Sequence, residues 1–369
     1  MKKILLVFGT RPEAIKMAPL VKELSKHTDF VIKVCVTAQH REMLDQVLTF
    51  FNIIPDYDLD LMKPNQTLNQ LSARIITAID VVLIDFKPDL VLVHGDTSTS
   101  SMVALAAFHR NIKIGHIEAG LRTYNKLAPF PEEINRQITG RLADFHFAPT
   151  QQAAENLLNE GVHSKSVFVT GNTVIDALLW GIKNVNILRN DIKKIKDFIL
   201  ENKKLIVVTG HRRENFGDKF IEFCLALKEL AYRTDVQLIY PVHLNPNVQK
   251  VVYDTLGGEP NVLLIKPLDY EAFIWLLEQS YLIITDSGGV QEEAPSLKKP
   301  VLVTREVTER QEAVREGTVK LVGTNKAEIL KEAILLLDDQ KAYQSMIGNE
   351  NPYGDGTASK QIVDILRTL

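Results

Sequence analysis

Leu282-Ile283-Ile284-Thr285-Asp286-Ser287-Gly288-Gly289-Val290-Gln291-Glu292-Glu293-Ala294-Pro295 decides how the rest of this chain is read. A short apolar run ends in Asp286-Ser287-Gly288-Gly289 and passes into a helix-permissive segment carrying Glu292 and Glu293. That is the pattern of a buried strand opening onto a tight turn at the start of a helix. Backbone N–H groups at such a turn point outward and can hold a phosphate, and two glycines let the phosphate approach the main chain closely. Glu293 follows Ser287 by about one and a half helical turns, within reach of the two hydroxyls of a ribose whose phosphates rest on the turn. A nucleoside diphosphate is the expected ligand. An ordinary strand–turn–helix shares this local pattern, so the reading needs support from elsewhere in the chain.

The same alternation continues in both directions. Apolar runs fall at 2–9, 30–38, 89–95, 113–118, 145–149 and 166–170, then at 205–210, 236–242, 262–268, 282–286, 300–304 and 319–322. Helical segments separate them, which implies an α/β protein with parallel sheets. Continuous rather than alternating apolar runs suit strands buried on both faces. Six strands in each half predict two doubly wound, Rossmann-like domains, 1–170 and 171–369, facing a cleft. The last helical segment, Ala358 to Leu369, is one that could cross back to the first domain. In open parallel sheets ligands sit beyond the carboxyl ends of the strands, and the polar motifs of this chain stand there.

A length of 369 residues suits two domains, and 45% hydrophobic with 24% charged content suits a globular protein. Lys and Arg number 43 against 46 Asp and Glu, a net charge of −3, so no basic surplus points to nucleic acid or an anionic membrane. The apolar stretch after Lys2-Lys3 is too short for a signal peptide and reads as a first strand. No run reaches the ~18 apolar residues of a membrane span, and a cytoplasmic location is expected. Cys35 and Cys224 lie in separate apolar segments and read as buried thiols.

Gly9-Thr10-Arg11-Pro12-Glu13 follows the first run, placing Arg11 and Lys16 where two cations can meet phosphate charge. His94-Gly95-Asp96 and His116-Ile117-Glu118 end two later runs, and Glu132 opens a helix after Pro131. Three carboxylates converging near a diphosphate repel one another, an arrangement that function explains better than stability does. His211 after the first strand of the second half can bond phosphate or shuttle a proton, and His243 repeats the design one strand later. His94, Asp96, His116 and Glu118 could be drawn as a metal site, but neither His-x-acid pair has an established zinc spacing, and no metal is expected.

With these motifs in place, the chain resembles the bacterial non-hydrolysing UDP-N-acetylglucosamine 2-epimerases over nearly its whole length. The likeness rests on Gly9 to Met17, Gly95 to Thr97, His116 to Arg122, Pro131 to Arg136, Thr209 to Glu214 and Thr285 to Pro295. It implies a fold like that of GT-B glycosyltransferases, a homodimer, no cofactor, and a UDP-sugar in the interdomain cleft. Arg11, Lys16, His211, Phe273, Ser287, Gly288, Gly289, Glu293 and Arg310 would bind UDP, and Asp96, Glu118, Glu132 and His211 match residues implicated in catalysis. The implied reaction inverts C2 of UDP-N-acetylglucosamine through elimination of UDP to 2-acetamidoglucal and re-addition, supplying N-acetylmannosamine units for cell-surface polysaccharide.

Gln39, His40, Glu42, Arg74, Arg212 and His243 match positions where a second UDP-N-acetylglucosamine activates related enzymes. Glu42 departs from the glutamine of some members. Gln311 stands where proline is common, which implies a looser loop beside Arg310. The competing readings are a hydrolysing epimerase, a GT-B glycosyltransferase and a non-catalytic UDP-sugar sensor. The triple of acids favours proton chemistry at the sugar over the last two.

Overall fold

The structure is a computed structural model that describes residues 1–38, 41–63, 65–212, 215–308 and 310–369. The chain divides into two compact units, Met1–Trp180 with Tyr353–Leu369, and Gly181–Pro352.

In the first unit the strands are β1 (Lys2–Phe8), β2 (Phe30–Val36), β3 (Tyr57–Asp58), β4 (Leu90–His94), β5 (Lys113–Ile117), β6 (Phe145–Ala148) and β7 (Val167–Val169). They form one sheet in the order β3-β2-β1-β4-β5-β6-β7, every neighbouring pair parallel. In the second unit β8 (Lys204–Thr209), β9 (Val236–Pro241), β10 (Val262–Ile265), β11 (Leu282–Thr285), β12 (Val301–Val303) and β13 (Val319–Leu321) run β10-β9-β8-β11-β12-β13, again all parallel. Both units are doubly wound, as the alternating runs predict, and all twelve runs are strands. The addition is β3, two residues at the sheet edge, too short to stand out as an apolar run. Central strands β4 and β11 are buried along their whole length, the reason their sequences read as unbroken apolar runs.

The seam lies at Trp180/Gly181 rather than at Thr170. The helix Thr173–Asn184 starts against the first unit, and the Trp180 ring stacks on Phe51 with centroids 4.8 Å apart. The C-terminal segment belongs to the first unit. The backbone N–H groups of Ala358 and Ser359 donate to the Asp176 carboxylate at 3.2 and 2.7 Å, and Asn172 N–H donates to the Tyr353 carbonyl at 2.7 Å. Ile362, Val363 and Leu366 of the last helix, Ala358–Thr368, are buried. Cys35 and Cys224 are free and buried, each thiol pushed up to about 12 chiefly by that burial. No helix among the described residues is long and apolar enough to cross a membrane.

In each sheet the strand order reverses once, between β1 and β4 and between β8 and β11. That reversal splays the two connecting helices to opposite faces and leaves a crevice at the strand ends. Gly9-Thr10-Arg11 and Gly95-Asp96 flank the first crevice. Gly210-His211-Arg212 and Asp286-Ser287-Gly288 flank the second.

Candidate active site

In the first unit the turn after β1 becomes the helix Arg11–Leu24 through a capping box. Thr10 accepts from Glu13 N–H, and the Glu13 carboxylate accepts from Thr10 N–H at 2.8 Å. Glu13 does more than cap. It also accepts from Gly9 N–H at 3.0 Å and from the Thr97 hydroxyl at 2.7 Å, so one buried carboxylate ties the turn after β1 to the turn after β4. Burial pushes Glu13 up to about 7 against the pull of these donors. Arg11 occupies the first helical position, half-buried.

Lys16, one helical turn further, ion-pairs with Glu118 at the end of β5, their side chains 12% and 9% exposed. The lysine expected to face phosphate charge is therefore committed first to an acid of the same crevice. Glu118 has φ +60°, left-handed backbone that an L side chain rarely adopts. Its Oε2 also accepts from Asn172 Nδ2 at 2.7 Å and lies 3.8 Å from His94 Nε2. His94 is driven down to about 4, chiefly by burial and with Glu118 opposing, so it stays neutral near pH 7.

Asp96 ion-pairs with Arg136, which stands one turn beyond Glu132 on the helix Glu132–Leu142. Burial raises the Asp96 carboxyl above its ordinary range, and Glu118 adds to the rise while Arg136 opposes it. Glu132 is half-buried in the first turn of that helix, and its carboxylate has no bonded partner among the described residues. Its neighbour Glu133 is wholly buried and accepts from Thr123 and Tyr124 N–H, both at 3.0 Å. Glu133 thus pins the loop that leads into the helix. Asp96 and Glu118 each carry a cation, which relieves the repulsion their sequence positions imply.

His116 turns away from the acids. It is buried, driven down to about 3 chiefly by that burial, and its Nε2 lies 2.7 Å from the Gly95 carbonyl. The neutral ring donates there and holds the left-handed turn at Gly95, φ +62°, in place. Among the described residues no group of three or more His, Cys, Asp or Glu side chains is arranged to hold a metal.

In the second unit the Asp286 carboxylate organises the crevice. Its Oδ2 accepts from His211 and Arg212 N–H at 2.7 and 2.8 Å, joining the turns after β8 and β11. His211 is 41% exposed at its side chain, and its ring stacks on His243 with centroids 5.1 Å apart and planes 10° from parallel. Partial burial lowers its ring below the ordinary value, Asp286 pulling the other way and His243 and Arg212 adding to the fall.

Ser287 starts the helix Gly288–Glu293, and its hydroxyl makes no bond back to the helix. Over this turn lies the Arg310 guanidinium. A Cβ added at Gly288 would stand 3.1 Å from its Cζ. Arg310 is held by the buried Glu292, with Nε and Nη2 2.9 and 2.8 Å from Oε1. Ser287, Gly288, Gly289, Arg310 and the buried Glu293 therefore meet at one strand end. Phe273 is half-buried in the helix Tyr270–Gln279. The Gln311 side-chain amide donates to the Thr308 carbonyl at 2.6 Å.

Of the positions matched to an activator site, Gln39 and His40 lie outside the described residues. Glu42 is exposed in the first turn of the helix Arg41–Phe50. Among the described residues, Arg74 Nε and Nη2 and Arg212 Nε are buried without hydrogen-bond partners. His243 Nδ1 accepts from Asn245 N–H at 3.1 Å.

Sequence reasoning missed four contributors: Glu13, Arg136, Asn172 and Asp286. Asn172 lies in a Gly171-Asn172-Thr173 turn that reads only as a domain seam. Asp286 reads only as the end of a strand. What marks each of them is a contact with a residue distant in the chain, which local pattern cannot carry.

The sequence profile described as UDP-N-acetylglucosamine 2-epimerase matches residues 22–367. A protein of that name from Campylobacter jejuni is 56% identical over 375 residues, covering 99% of this chain and 97% of its own length. The one from Salmonella typhimurium is 55% identical over 370 residues, covering 99% and 98%. The crystal structure of UDP-GlcNAc 2-epimerase from Neisseria meningitidis, bound to UDP-GlcNAc, superposes with a TM-score of 0.90 at 52% identity over the full length of both chains.

Proposed function

Because the chain belongs to the UDP-N-acetylglucosamine 2-epimerase family, we propose that it interconverts UDP-N-acetylglucosamine and UDP-N-acetylmannosamine without releasing the sugar. The observation that carries this reading is the pair of cation-held acids, Asp96 with Arg136 and Glu118 with Lys16, at the switch point of the first sheet.

The chemistry explains why acids are needed. The hydrogen on C2 is not alpha to a carbonyl, so direct removal would leave a carbanion with no sink. If the C1–O bond to UDP breaks first, positive charge grows at C1 and the C2 proton can leave, forming 2-acetamidoglucal and UDP. Re-addition of UDP, with a proton delivered to the other face of C2, completes the inversion. One carboxylate takes the proton, another group returns it, and the remaining negative charge supports the oxocarbenium-like state. Asp96, Glu118 and Glu132 fill these roles. Asp96, raised by burial, retains a proton to higher pH than an ordinary aspartate and suits the donor's part.

The turn Ser287-Gly288-Gly289 with Arg310 takes the diphosphate, and Glu293 takes the ribose. Arg11 and His211 are the further positions that the family resemblance matches to UDP. Phe273 lies against the uracil.

Proton NMR of the protein with UDP-N-acetylglucosamine in D2O tests the reading. UDP-N-acetylmannosamine should appear to equilibrium with deuterium at C2 of both sugars. Accumulation of free N-acetylmannosamine with UDP would replace it by the hydrolysing reaction, and binding without C2 exchange would overturn it. Initial rates from the same assay, taken over rising substrate, also test the activator. Sigmoidal dependence is expected if Arg74, Arg212 and His243 hold a second UDP-sugar, and a hyperbola would remove that part.

A further inference from the structure

The Asp286 carboxylate is almost fully buried, its side chain 1% exposed, yet among the described residues only one of its oxygens accepts a hydrogen bond. Oδ2 takes both backbone N–H groups, of His211 and Arg212. Oδ1 faces the His211 ring at an ion-pair distance, 3.3 Å from Nδ1, and accepts no hydrogen bond among the described residues. A buried carboxylate oxygen left without a donor is costly, and a proton on the facing Nδ1, 3.3 Å away, relieves that cost. His243 covers one face of the ring. The ring is therefore confined by a stack on its face and a carboxylate at one edge, with its Nε2 edge directed away from Asp286.

We propose that Asp286 is a positioning residue that keeps the His211 proton on Nδ1, so that Nε2 is the nitrogen exchanging a proton at the site. The orientation comes from the fold itself. The same carboxylate holds the two amides that place His211 at the end of β8, so ring and backbone are set together. When Nε2 gains a proton, the imidazolium has Asp286 as its counter-charge, while His243 and Arg212 oppose the charge. This inference rests on His211 acting in the proposed epimerisation, though the tautomer is a property of the protein alone.

Asp286→Asn separates orientation from charge. The asparagine oxygen must stay on the two backbone N–H groups, which turns its NH2 toward His211 Nδ1. Nδ1 then has to accept, and the ring proton moves to Nε2. Loss of a correct histidine tautomer through such a substitution is known to disable a catalytic imidazole while leaving the geometry intact.

The experiment is long-range 15N–1H correlation NMR of full-length protein labelled in its histidine rings, the His211 signals assigned by their loss in His211→Asn. Wild type should show the Nδ1–H tautomer and D286N the Nε2–H tautomer. With UDP-N-acetylglucosamine, kcat for D286N should fall about 100-fold, within the range for lost acid–base catalysis, while KM changes little. The pH limb belonging to His211 should move to lower pH, since the imidazolium loses its counter-charge; a merely structural role would leave both tautomer and limb in place.

An Nε2–H tautomer in wild type overturns the proposal whether or not the variant folds. So does an unchanged tautomer in folded D286N, or a switched tautomer with full kcat. If wild type itself showed no C2 exchange, the epimerase reading would fail while the tautomer result would still stand or fall separately.

Discussion

Glu118 pairs an unfavourable backbone with a crowded carboxylate. Its left-handed φ of +60° costs a non-glycine residue about 1–2 kcal/mol. The residues on either side are tied to neighbouring strands, the Ile117 carbonyl accepting from Gly95 N–H at 2.9 Å and Ala119 N–H donating to the Phe147 carbonyl at 3.0 Å. The carboxylate is aimed at Lys16 and Asn172. Strain of this kind persists where surrounding structure over-determines it, often at functional sites. Asn172 is then more than a turn residue. Asn172→Ala removes one donor from the Glu118 carboxylate and favours its protonated form. The expected outcome is a kcat about tenfold lower, with the acidic limb of the pH–rate profile moved to higher pH and UDP affinity unchanged. A profile that keeps its position would show that Asn172 only supports the turn. The sequence marks Glu118 as an acid at a strand end. Its partners lie 102 and 54 positions away, and the spacing of motifs says nothing about which distant cation or amide will arrive.

At the scale of elements, the strand-to-helix turns do the positioning. Glu13 ties two turns in the first unit and Asp286 ties two in the second, each a single buried carboxylate bridging the strands on either side of the switch point. The two glycines of Ser287-Gly288-Gly289 have different duties. A Cβ at Gly288 would meet the Arg310 guanidinium at 3.1 Å, whereas no atom of the described residues lies within 4 Å of one at Gly289. Gly288→Ala should displace Arg310 from Glu292 and weaken UDP binding by about tenfold or more, ~1.4 kcal/mol. Gly289→Ala should leave the melting temperature of the free protein unchanged. Calorimetric titration with UDP and thermal melts of both variants check this, and equal UDP affinity in G288A and wild type would sink it. The glycines were legible as an allowance for close approach; that one of them accommodates an arginine rather than backbone alone was not, because Arg310 arrives from a later loop.

For the whole molecule, acid sensitivity follows from three histidines of the first unit. Burial holds His94, His116 and His146 down to about 4, 3 and 4. Free histidine titrates near 6.5, so below that pH the unfolded chain binds protons that the native state refuses. Their stabilisation is complete above pH 6.5 and is lost as pH falls toward the native values. Each contributes a slope of about 1.4 kcal/mol per pH unit in that window. Glu13, raised to about 7, has the opposite sign, because the native state keeps a proton that the unfolded chain releases. It offsets one histidine, so these four groups together contribute a loss of about 3 kcal/mol per unit between pH 6.5 and 5. Denaturant unfolding across that range should show the slope, and His146→Gln should flatten it by one histidine's share. A flat profile in wild type would refute the assignment. By itself the sequence determined two doubly wound α/β halves, and through its motifs it placed polar residues at particular strand ends. Those properties follow from apolar periodicity and turn chemistry, which act over a few residues. Only the tertiary structure decided the seam at Trp180, the return of Tyr353–Leu369 to the first unit, and the pairing of Lys16 with Glu118, Arg136 with Asp96 and Asp286 with His211. These depend on which surfaces bury one another, and burial joins residues without regard to their distance along the chain.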